Sequence, residues 1–303
     1  MEDIKAIDIQ NRPFSVRVEE LHKPFMQQYE MQRVAKAVWK GPILKMGLKP
    51  GEEWKVMTEF WPCSVPNMLK EMDEVGVELV FMDQLKLWSW NEHRMGAYAD
   101  LDMMRGILEE GKGKIIGGAS YNPFKIMDSL REIETGVKEL GFKYVWYHPA
   151  VYGVRFDDRR NYPLYAKCEE LGIPVTMQSG QAGEPVPCEG ARPYHADIVA
   201  LDFPDLTIVL THCGYPWVDE WVSMCWKHIN VYGCINAYYP KDLDPAIVKF
   251  MDARGRDKVM WGTNSWGLKR FKEEFMELPI RDESKRKVLR ENAIKVFKLD
   301  LEL

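Results

Sequence analysis

Polar side chains directly follow most of the short apolar runs of this chain, and several of them could transfer protons or hold an anion. His148 in YHPAVYG and His212 in THCG are placed in this way, and an imidazole exchanges protons near neutral pH. Arg12 follows the first apolar run and offers a fixed fork of donors that suits a carboxylate. Amides and one carboxylate complete the set: Gln10, Asp83, Gln178, Asn236 and Asn264.

The elements that would position these residues follow a βα rhythm. Short β-branched runs alternate with amphipathic stretches such as SLREIETGVKELGF, which predicts repeated βα units and a parallel sheet. The predicted strands are Ala6 to Ile9, Glu78 to Met82, Lys114 to Ala119, Tyr144 to Tyr147, Pro174 to Met177, Thr207 to Leu210, Asn230 to Cys234 and Lys258 to Trp261. Eight strands favour an α/β fold of the (β/α)8 TIM-barrel type over an open doubly wound sheet. The 303 residues, 46% of them hydrophobic, are expected to form one domain over residues 1–303.

In such a barrel, functional groups lie at the C-terminal ends of the strands. A single strand-end amide can equally hydrogen-bond a neighbouring loop, so no one position decides the matter. Polar residues follow nearly every strand, however, and further members of the set are Asn11, Gln84, Tyr121, Asn122 and Ser265. The whole set predicts a functional pocket at this end of the barrel.

Residues 15–66 interrupt the rhythm between the first strand and its helix. This segment contains HKPF, GLKPGEEW and FWPCSVP, and an aromatic-rich insertion at this place is expected to lie over the barrel mouth as a substrate-covering flap. A structural flap or an oligomer contact is an equal alternative.

Composition narrows the possible partners. The formal net charge is -5, from 41 basic and 46 acidic residues without blocks, which argues against nucleic acid or anionic lipid as a partner. No apolar run approaches the roughly 18 residues that span a bilayer, and MEDIKAIDIQ does not resemble a signal peptide. The six cysteines include no CxxC pair, which favours reduced thiols. We therefore expect a cytoplasmic protein without membrane contact.

Several segments resemble, in order and spacing, the amidohydrolase-related family that includes aminocarboxymuconate-semialdehyde decarboxylase. They are GFKYVWYHPAVYGVRFDDRRNYPLYAKCEELGIPVTMQSG, LTHCGYPWVDE, INVYGCINAYY, DKVMWGTNSW and LRENAIKVF, and AIDIQNRP looks like the opening strand. The resemblance runs from about Ile4 to Leu299 and is weakest between Ser15 and Pro66. It implies a distorted (β/α)8 barrel and a hydrolase or a decarboxylase.

The resemblance also implies a metal site, but this sequence departs from the pattern at all four ligand positions. The family takes two histidines from D-x-H-x-H, one from PVxxH and an aspartate from GSD. Here these positions are Gln10, Arg12, Gln178 and Asn264. Amides are weak neutral donors and Arg12 is a permanent cation, so Zn²⁺ binding is not expected. We predict no metal and no cofactor.

His212 matches the position that mononuclear members of the family use as a catalytic acid or base, and it is the first candidate for that role. His148 also matches a family motif, where substrate contact and a structural role are equal alternatives. The remaining histidines are interpreted as surface or packing residues: His22, His93, His195 and His228. Arg12 needs an anion, which either Asp83 or the substrate could supply.

The leading hypothesis is a metal-independent hydrolase or lyase of a small carboxylated molecule. His212 and Arg12 would be catalytic, and Gln10, His148, Gln178, Asn264, Asn236 and Asp83 would contact the substrate. The loss of a Lewis acid would restrict the enzyme to activated substrates such as lactones or β-keto acids. Two alternatives stay open: a catalytically silent ligand-binding barrel, and a metal-dependent enzyme with unusual ligands such as His148 and His212. A homo-oligomer is left open.

Overall fold

The computed structural model describes residues 4–303, in which eight parallel strands form a barrel in the order β1, β2, β5 to β10. The barrel strands are β1 (Ala6–Asn11), β2 (Val77–Asp83), β5 (Ile115–Ser120), β6 (Tyr144–Tyr147), β7 (Val175–Gln178), β8 (Ile208–Thr211), β9 (Val231–Ile235) and β10 (Val259–Trp261). Each of the eight predicted strands is confirmed within two residues at either end. The (β/α)8 fold class predicted from the sequence is therefore confirmed.

A two-stranded hairpin, β3 (Leu87–Ser89) with β4 (Arg94–Ala97), stands outside the barrel and was not predicted. It follows β2 directly, where the βα rhythm leads one to expect a loop. Its two strands are very short, so the alternation of apolar and polar residues along them is too brief to indicate strands in the sequence.

Helices connect the strands on the outside of the barrel. They are α1 (Lys23–Met26), α2 (Tyr29–Val38), α3 (Lys40–Met46), α4 (Lys55–Thr58), α5 (Val65–Val75), α6 (Leu101–Gly111), α7 (Ile126–Leu140), α8 (Tyr162–Leu171), α9 (Ala196–Asp202), α10 (Val218–Lys227), α11 (Pro245–Met251), α12 (Leu268–Met276), α13 (Asp282–Arg286) and α14 (Asn292–Phe297). Side chains of Ser64, Asp100 and Asp244 accept main-chain N–H groups at the starts of α5, α6 and α11, as helix N-caps do. Within residues 4–303 no helix is both long and apolar enough to cross a membrane.

The predicted insertion, residues 15–66, folds mainly as short helices. A π-helical turn (Val18–His22) continues into α1, and α2, α3 and α4 follow before α5 begins. Side chains of the turn, α1, α2 and α4 line the cavity at the C-terminal end of the barrel. Whether this segment moves as a flap stays a prediction.

The barrel closes between β1 and β10 through the side chain of Asp8. Its Oδ1 accepts the main-chain N–H groups of Gln10 and Thr263, both at 3.0 Å. Its Oδ2 accepts Nδ2 of Asn11 at 2.9 Å and the Thr263 hydroxyl at 2.6 Å. One main-chain bond, from Asn264 N to Gln10 O at 2.7 Å, supplements this closure. The two strands that carry Arg12 and Asn264 are thereby held side by side.

Asp8 gives a testable pH dependence of stability. Burial raises its pKa from 3.8 to about 6, although four hydrogen bonds oppose the shift. Because the folded protein binds the proton more tightly than the unfolded chain, the stability contributed by this group is complete below about pH 4 and is lost as the pH rises through about 6. We expect Asp8→Asn to remove this dependence. Between pH 4 and pH 7 the native protein should lose roughly 1–3 kcal/mol of its free energy of unfolding that the variant does not lose. Urea unfolding at several pH values measures the difference, and two parallel pH curves would contradict the assignment.

Candidate active site

The C-terminal ends of the barrel strands open into a cavity of about 500 Å³, a usual size for a small-molecule site. The strand ends supply its polar part, with Arg12, His148, Gln178, His212 and Asn264. Residues 14–61 supply most of its apolar part, including Phe14, Phe25, Met26, Met31, Met57 and Trp61. The cavity is thus polar where the strands end and apolar where the insertion covers it.

Arg12 lies at the polar end, and its guanidinium is held on three sides. Its Cζ is 3.9 Å from the centroid of the Trp146 ring, a cation–π distance. Its Nε donates to Oδ1 of Asn264 at 2.9 Å, and its Nη1 reaches Oδ2 of Asp83 at 3.4 Å. Within residues 4–303 its Nη2 donates no hydrogen bond. A charged, oriented donor therefore remains for a ligand.

Asp83 is the protein carboxylate that pairs with Arg12, and it is fully buried beneath the cavity wall. Its Oδ2 is shared among long contacts, from Arg12, from Nε2 of Gln10 at 3.5 Å and from the Tyr144 hydroxyl at 3.4 Å. Burial raises the pKa of Asp83 to about 6, against the opposing charge of Arg12. Tyr144 reaches this carboxylate because Gly118 has no side chain, since a Cβ there would lie 2.5 Å from the Tyr144 ring.

His212 follows β8 and is held by its neighbours on one edge of the ring. Its Nδ1 lies 2.8 Å from the Thr211 hydroxyl and 3.3 Å from Nδ2 of Asn236. Its main-chain N–H donates to Oδ1 of Asn236 at 2.5 Å. Nε2 lies on the opposite edge of the ring, and the side chain of Asn264 also hydrogen-bonds the imidazole, which opposes the lowering of its pKa. Burial and then the charge of Arg12 lower the pKa of His212 well below 6.5, so the imidazole is neutral at pH 7.

The main chain is strained around these side chains. Five residues other than glycine have φ between 55° and 70° at the ends of β8, β9 and β10, namely His212, Cys213, Ala237, Asn264 and Ser265. Such a conformation costs an L-residue about 1 kcal/mol or more, and it persists only where the surroundings enforce it. Clustering of this strain at one end of the barrel is typical of a functional site.

His148 forms a second polar pair with Glu184. The ring is 3% exposed, and its Nε2 lies 3.4 Å from Oε2 of Glu184. Burial works to raise the pKa of Glu184, but the hydrogen bond to His148 and the charges of His148 and Arg12 outweigh it and lower the pKa. Glu184 is thus an ionised carboxylate at the cavity. Glu184 lies in the loop after β7 and not at a strand end, so its position in the sequence gives no signal of a site residue.

Five of the eight predicted site residues lie together in the cavity wall: Arg12, His148, Gln178, His212 and Asn264. The other three, Gln10, Asp83 and Asn236, are fully buried behind it. They hold cavity residues in place, since Gln10 and Asp83 bind each other and Asn236 binds His212. The substrate contacts predicted for all eight residues stay predictions.

For His22 the sequence leaves a surface and a packing role open, and the structure shows the packed one, beside the cavity. The ring is 3% exposed and lines the cavity, between Phe14 and Trp61. The other three histidines named with it, His93, His195 and His228, do not line the cavity. HKPF marks the segment as aromatic-rich in the sequence, but nothing in it indicates which way the histidine points.

The four positions that resemble metal-ligand positions do not fit a divalent cation. The Arg12 guanidinium contacts the amide oxygen of Asn264 and the carboxylate of Asp83, so a fixed positive charge lies among the groups that would have to act as ligands. In the part of the chain that the structure describes, no group of three or more His, Cys, Asp or Glu side chains is arranged to hold a metal. For the alternative ligands His148 and His212, Nε2 of His148 already contacts Glu184 and Nδ1 of His212 already contacts Thr211.

Comparison with known proteins shows the family and the fold. A family model described as amidohydrolase matches residues 67–299. No curated protein sequence matches the chain significantly. Among solved structures, a TIM-barrel protein of unassigned function from Bordetella bronchiseptica is similar, with a TM-score of 0.72, 24% identity, and coverage of 97% of this chain and 98% of that chain.

Two decarboxylases are also similar in fold. A 5-carboxyvanillate decarboxylase from Novosphingobium aromaticivorans, with bound manganese and 3-methoxy-4-hydroxy-5-nitrobenzoic acid, has a TM-score of 0.70, 17% identity and 98% coverage of both chains. A 2,6-dihydroxybenzoate decarboxylase complexed with 2,6-dihydroxybenzoate has a TM-score of 0.64, 14% identity, and coverage of 99% of this chain and 100% of that chain. At such identities the likeness shows a common barrel fold.

Proposed function

Because the chain belongs to the amidohydrolase family, whose model matches residues 67–299, we propose that it is a metal-independent enzyme for a small carboxylated substrate. The observation that carries this proposal is the Arg12 guanidinium, which borders the cavity next to the amide that replaces a ligand aspartate. As a member of the superfamily the chain is a hydrolase or a decarboxylase. The cytoplasmic location predicted from the sequence belongs to this proposal.

Arg12 is suited to anchor a carboxylate. Its position on Trp146 fixes the plane of the guanidinium, and its Nη2 is free to donate. Asp83 neutralises Arg12 only in part, because the contact between them is long and the pKa of this carboxyl is raised. The remaining positive potential of Arg12 can attract a ligand. Charge-assisted bonds of this kind are about twice as strong as neutral ones.

The reacting bond then lies elsewhere in the substrate. Loss of CO₂ from the anchored carboxylate would destroy the ion pair with Arg12, so the pairing would stabilise the ground state more than the transition state and slow that step. Hydrolysis of a lactone or another activated acyl bond does not have this penalty. A hydrolase therefore ranks before a decarboxylase.

His212 would act as the base and then as the acid. A water molecule attacks the acyl carbon as His212 takes its proton, and the oxygen of the former carbonyl becomes an oxyanion. Nδ2 of Asn264 can donate to that oxyanion, since Oδ1 of the same amide already binds Arg12. The C–O bond then breaks, and the proton on His212 passes to the leaving oxygen. The carboxylate on Arg12 would offset the charge that lowers the pKa of His212, so substrate binding would strengthen the base.

The apolar part of the cavity supports a ring-bearing substrate. The solved relatives were complexed with substituted benzoates, and a single substituted ring fits readily into about 500 Å³. Aromatic walls such as Phe14 and Trp61 would bury the ring. No cofactor enters this scheme.

The proposal is tested with enzyme that has been dialysed against chelators and analysed for metals. We expect hydrolysis of at least one lactone from a panel of carboxylated, ring-bearing lactones and β-keto acids, and no change in rate when Zn²⁺ or Mn²⁺ is added. Mass spectrometry of the ring-opened acid and a CO₂ assay separate hydrolysis from decarboxylation. Turnover that appears only after Mn²⁺ is supplied would contradict metal independence.

A further inference from the structure

The insertion contributes a second pair of polar groups to the cavity, apart from the strand ends. His22 ends the π-helical turn Val18–His22 and is 3% exposed. Within residues 4–303, Nε1 of Trp61 and the ring nitrogens of His22 have no partner at full hydrogen-bond geometry, although a main-chain group of Trp54 interacts with the imidazole and works to raise its pKa. Both side chains line the same cavity as Arg12. Two buried groups that can form hydrogen bonds are therefore left to a ligand.

The packing around His22 fixes the orientation of its ring. The ring centroid is 4.4 Å from that of Trp61 at an interplanar angle of 72°, and 5.4 Å from that of Phe14 at 64°. Phe14 is stacked in turn on Phe25 at 5.2 Å. These edge-to-face contacts hold the imidazole without using its nitrogens.

The surroundings also decide the charge of the imidazole. Burial lowers the pKa of His22 to about 4, against a smaller opposing effect of the Trp54 main chain. At pH 7 the ring is therefore neutral, with one N–H donor and one acceptor nitrogen. Buried polar groups are nearly always paired, and leaving them unpaired destabilises the free protein. A neutral partner fits better than an ion here, because the neighbouring wall consists of Phe14, Phe25, Met26 and Met57.

We propose that His22 and Trp61 form a second polar subsite, which binds a hydroxyl group on the ring of the substrate. A hydroxyl can accept the Trp61 N–H and donate to the imidazole at the same time, which a methyl group or a second carboxylate cannot do. The inference rests on the proposed function for the carboxylate at Arg12. It makes the insertion a determinant of which substituted rings are bound.

The test uses two sets of three probes in calorimetric titrations. One set is benzoate with 3- and 4-hydroxybenzoate, and the other is methyl benzoate with methyl 3- and 4-hydroxybenzoate, which lack the free carboxylate. We expect the native protein to bind one hydroxylated probe of each set about 2- to 10-fold more tightly than its parent. His22→Phe keeps the ring and is expected to abolish this preference, to leave benzoate affinity unchanged, and to unfold at the same temperature or higher.

His93→Phe is the matched control, because His93 is exposed and does not line the cavity, and it should keep the preference. Trp61→Phe, which removes one donor, should reduce the preference and serves as a second variant if His22→Phe fails to fold. A preference that survives in His22→Phe, or its absence from both sets of probes in the native protein, overturns the subsite. Discrimination between the esters without any binding of benzoate would support the subsite and overturn the carboxylate role of Arg12.

Discussion

Replacing His212 by asparagine is expected to lower kcat about 10²- to 10⁴-fold, the usual contribution of a positioned acid–base group. Asparagine can still bind Thr211, but it cannot carry the proton from the attacking water to the leaving oxygen. KM should change little, since Arg12 and the apolar wall supply the binding. Steady-state kinetics with a substrate from the lactone panel measure both constants.

The pH dependence of kcat and kcat/KM gives a second test of the role of His212. In the free enzyme, burial and Arg12 lower the pKa of His212 well below 6.5, so the acid limb of kcat/KM that belongs to this group should lie well below the pH at which a free imidazole titrates. A substrate carboxylate on Arg12 offsets the positive charge, and the acid limb of kcat should therefore lie at a higher pH than that of kcat/KM.

The control for His212 is His195→Asn. His195 pairs with Glu189 at 3.3 Å and does not line the cavity, so its loss should leave kcat near the native value. Equal effects of the two substitutions would indicate loss of folded protein. An unchanged kcat in His212→Asn would remove this residue from the mechanism.

The second large effect is expected at Arg12. Removing its guanidinium should weaken the binding of a carboxylated substrate or of benzoate about 10- to 100-fold, as is usual for the loss of a charged hydrogen bond. Arg12→Met alone would leave the Asp83 carboxylate buried without a counter-ion, which destabilises a fold by several kcal/mol. The double variant Arg12→Met, Asp83→Asn avoids this charge, and its affinity is measured by calorimetry.

Asp83→Asn alone is the matched variant, and it should act in the opposite direction. Loss of the protein carboxylate leaves the whole charge of Arg12 to the ligand, so benzoate should bind more tightly than to the native protein. This difference should shrink below about pH 6, since the native Asp83 is protonated there. Equal affinities of the native protein and the double variant would show that Arg12 does not hold the carboxylate.

The barrel and one face of the site could be predicted from the sequence for a single physical reason. Parallel strands place their C-terminal ends at the same edge of the sheet, so polar residues after successive strands must come close together. Arg12, His148, Gln178, His212 and Asn264 do so and line one cavity.

Which of these side chains line the cavity, and which are buried behind its wall, could not be predicted in the same way. Successive side chains of a strand alternate in direction, and the stagger of neighbouring strands decides which of them reaches the cavity. In β1 the register shifts between Asp8 and Asn11, which no pattern in AIDIQN indicates. Gln10, Asp83 and Asn236 are consequently buried behind the wall, although their positions after the apolar runs resemble those of the residues that line it.

The sequence by itself determined the order of the eight barrel strands, and its resemblance to the family indicated that neutral amides and an arginine stand at metal-ligand positions. Only the tertiary structure decided that Glu184, Trp61 and His22 meet these residues, because loops far apart in the chain fold over the same strand ends. It also decided which groups carry charge at pH 7. Burial and neighbouring charges, which exist only after folding, set the pKa values of Asp83, His212 and Glu184.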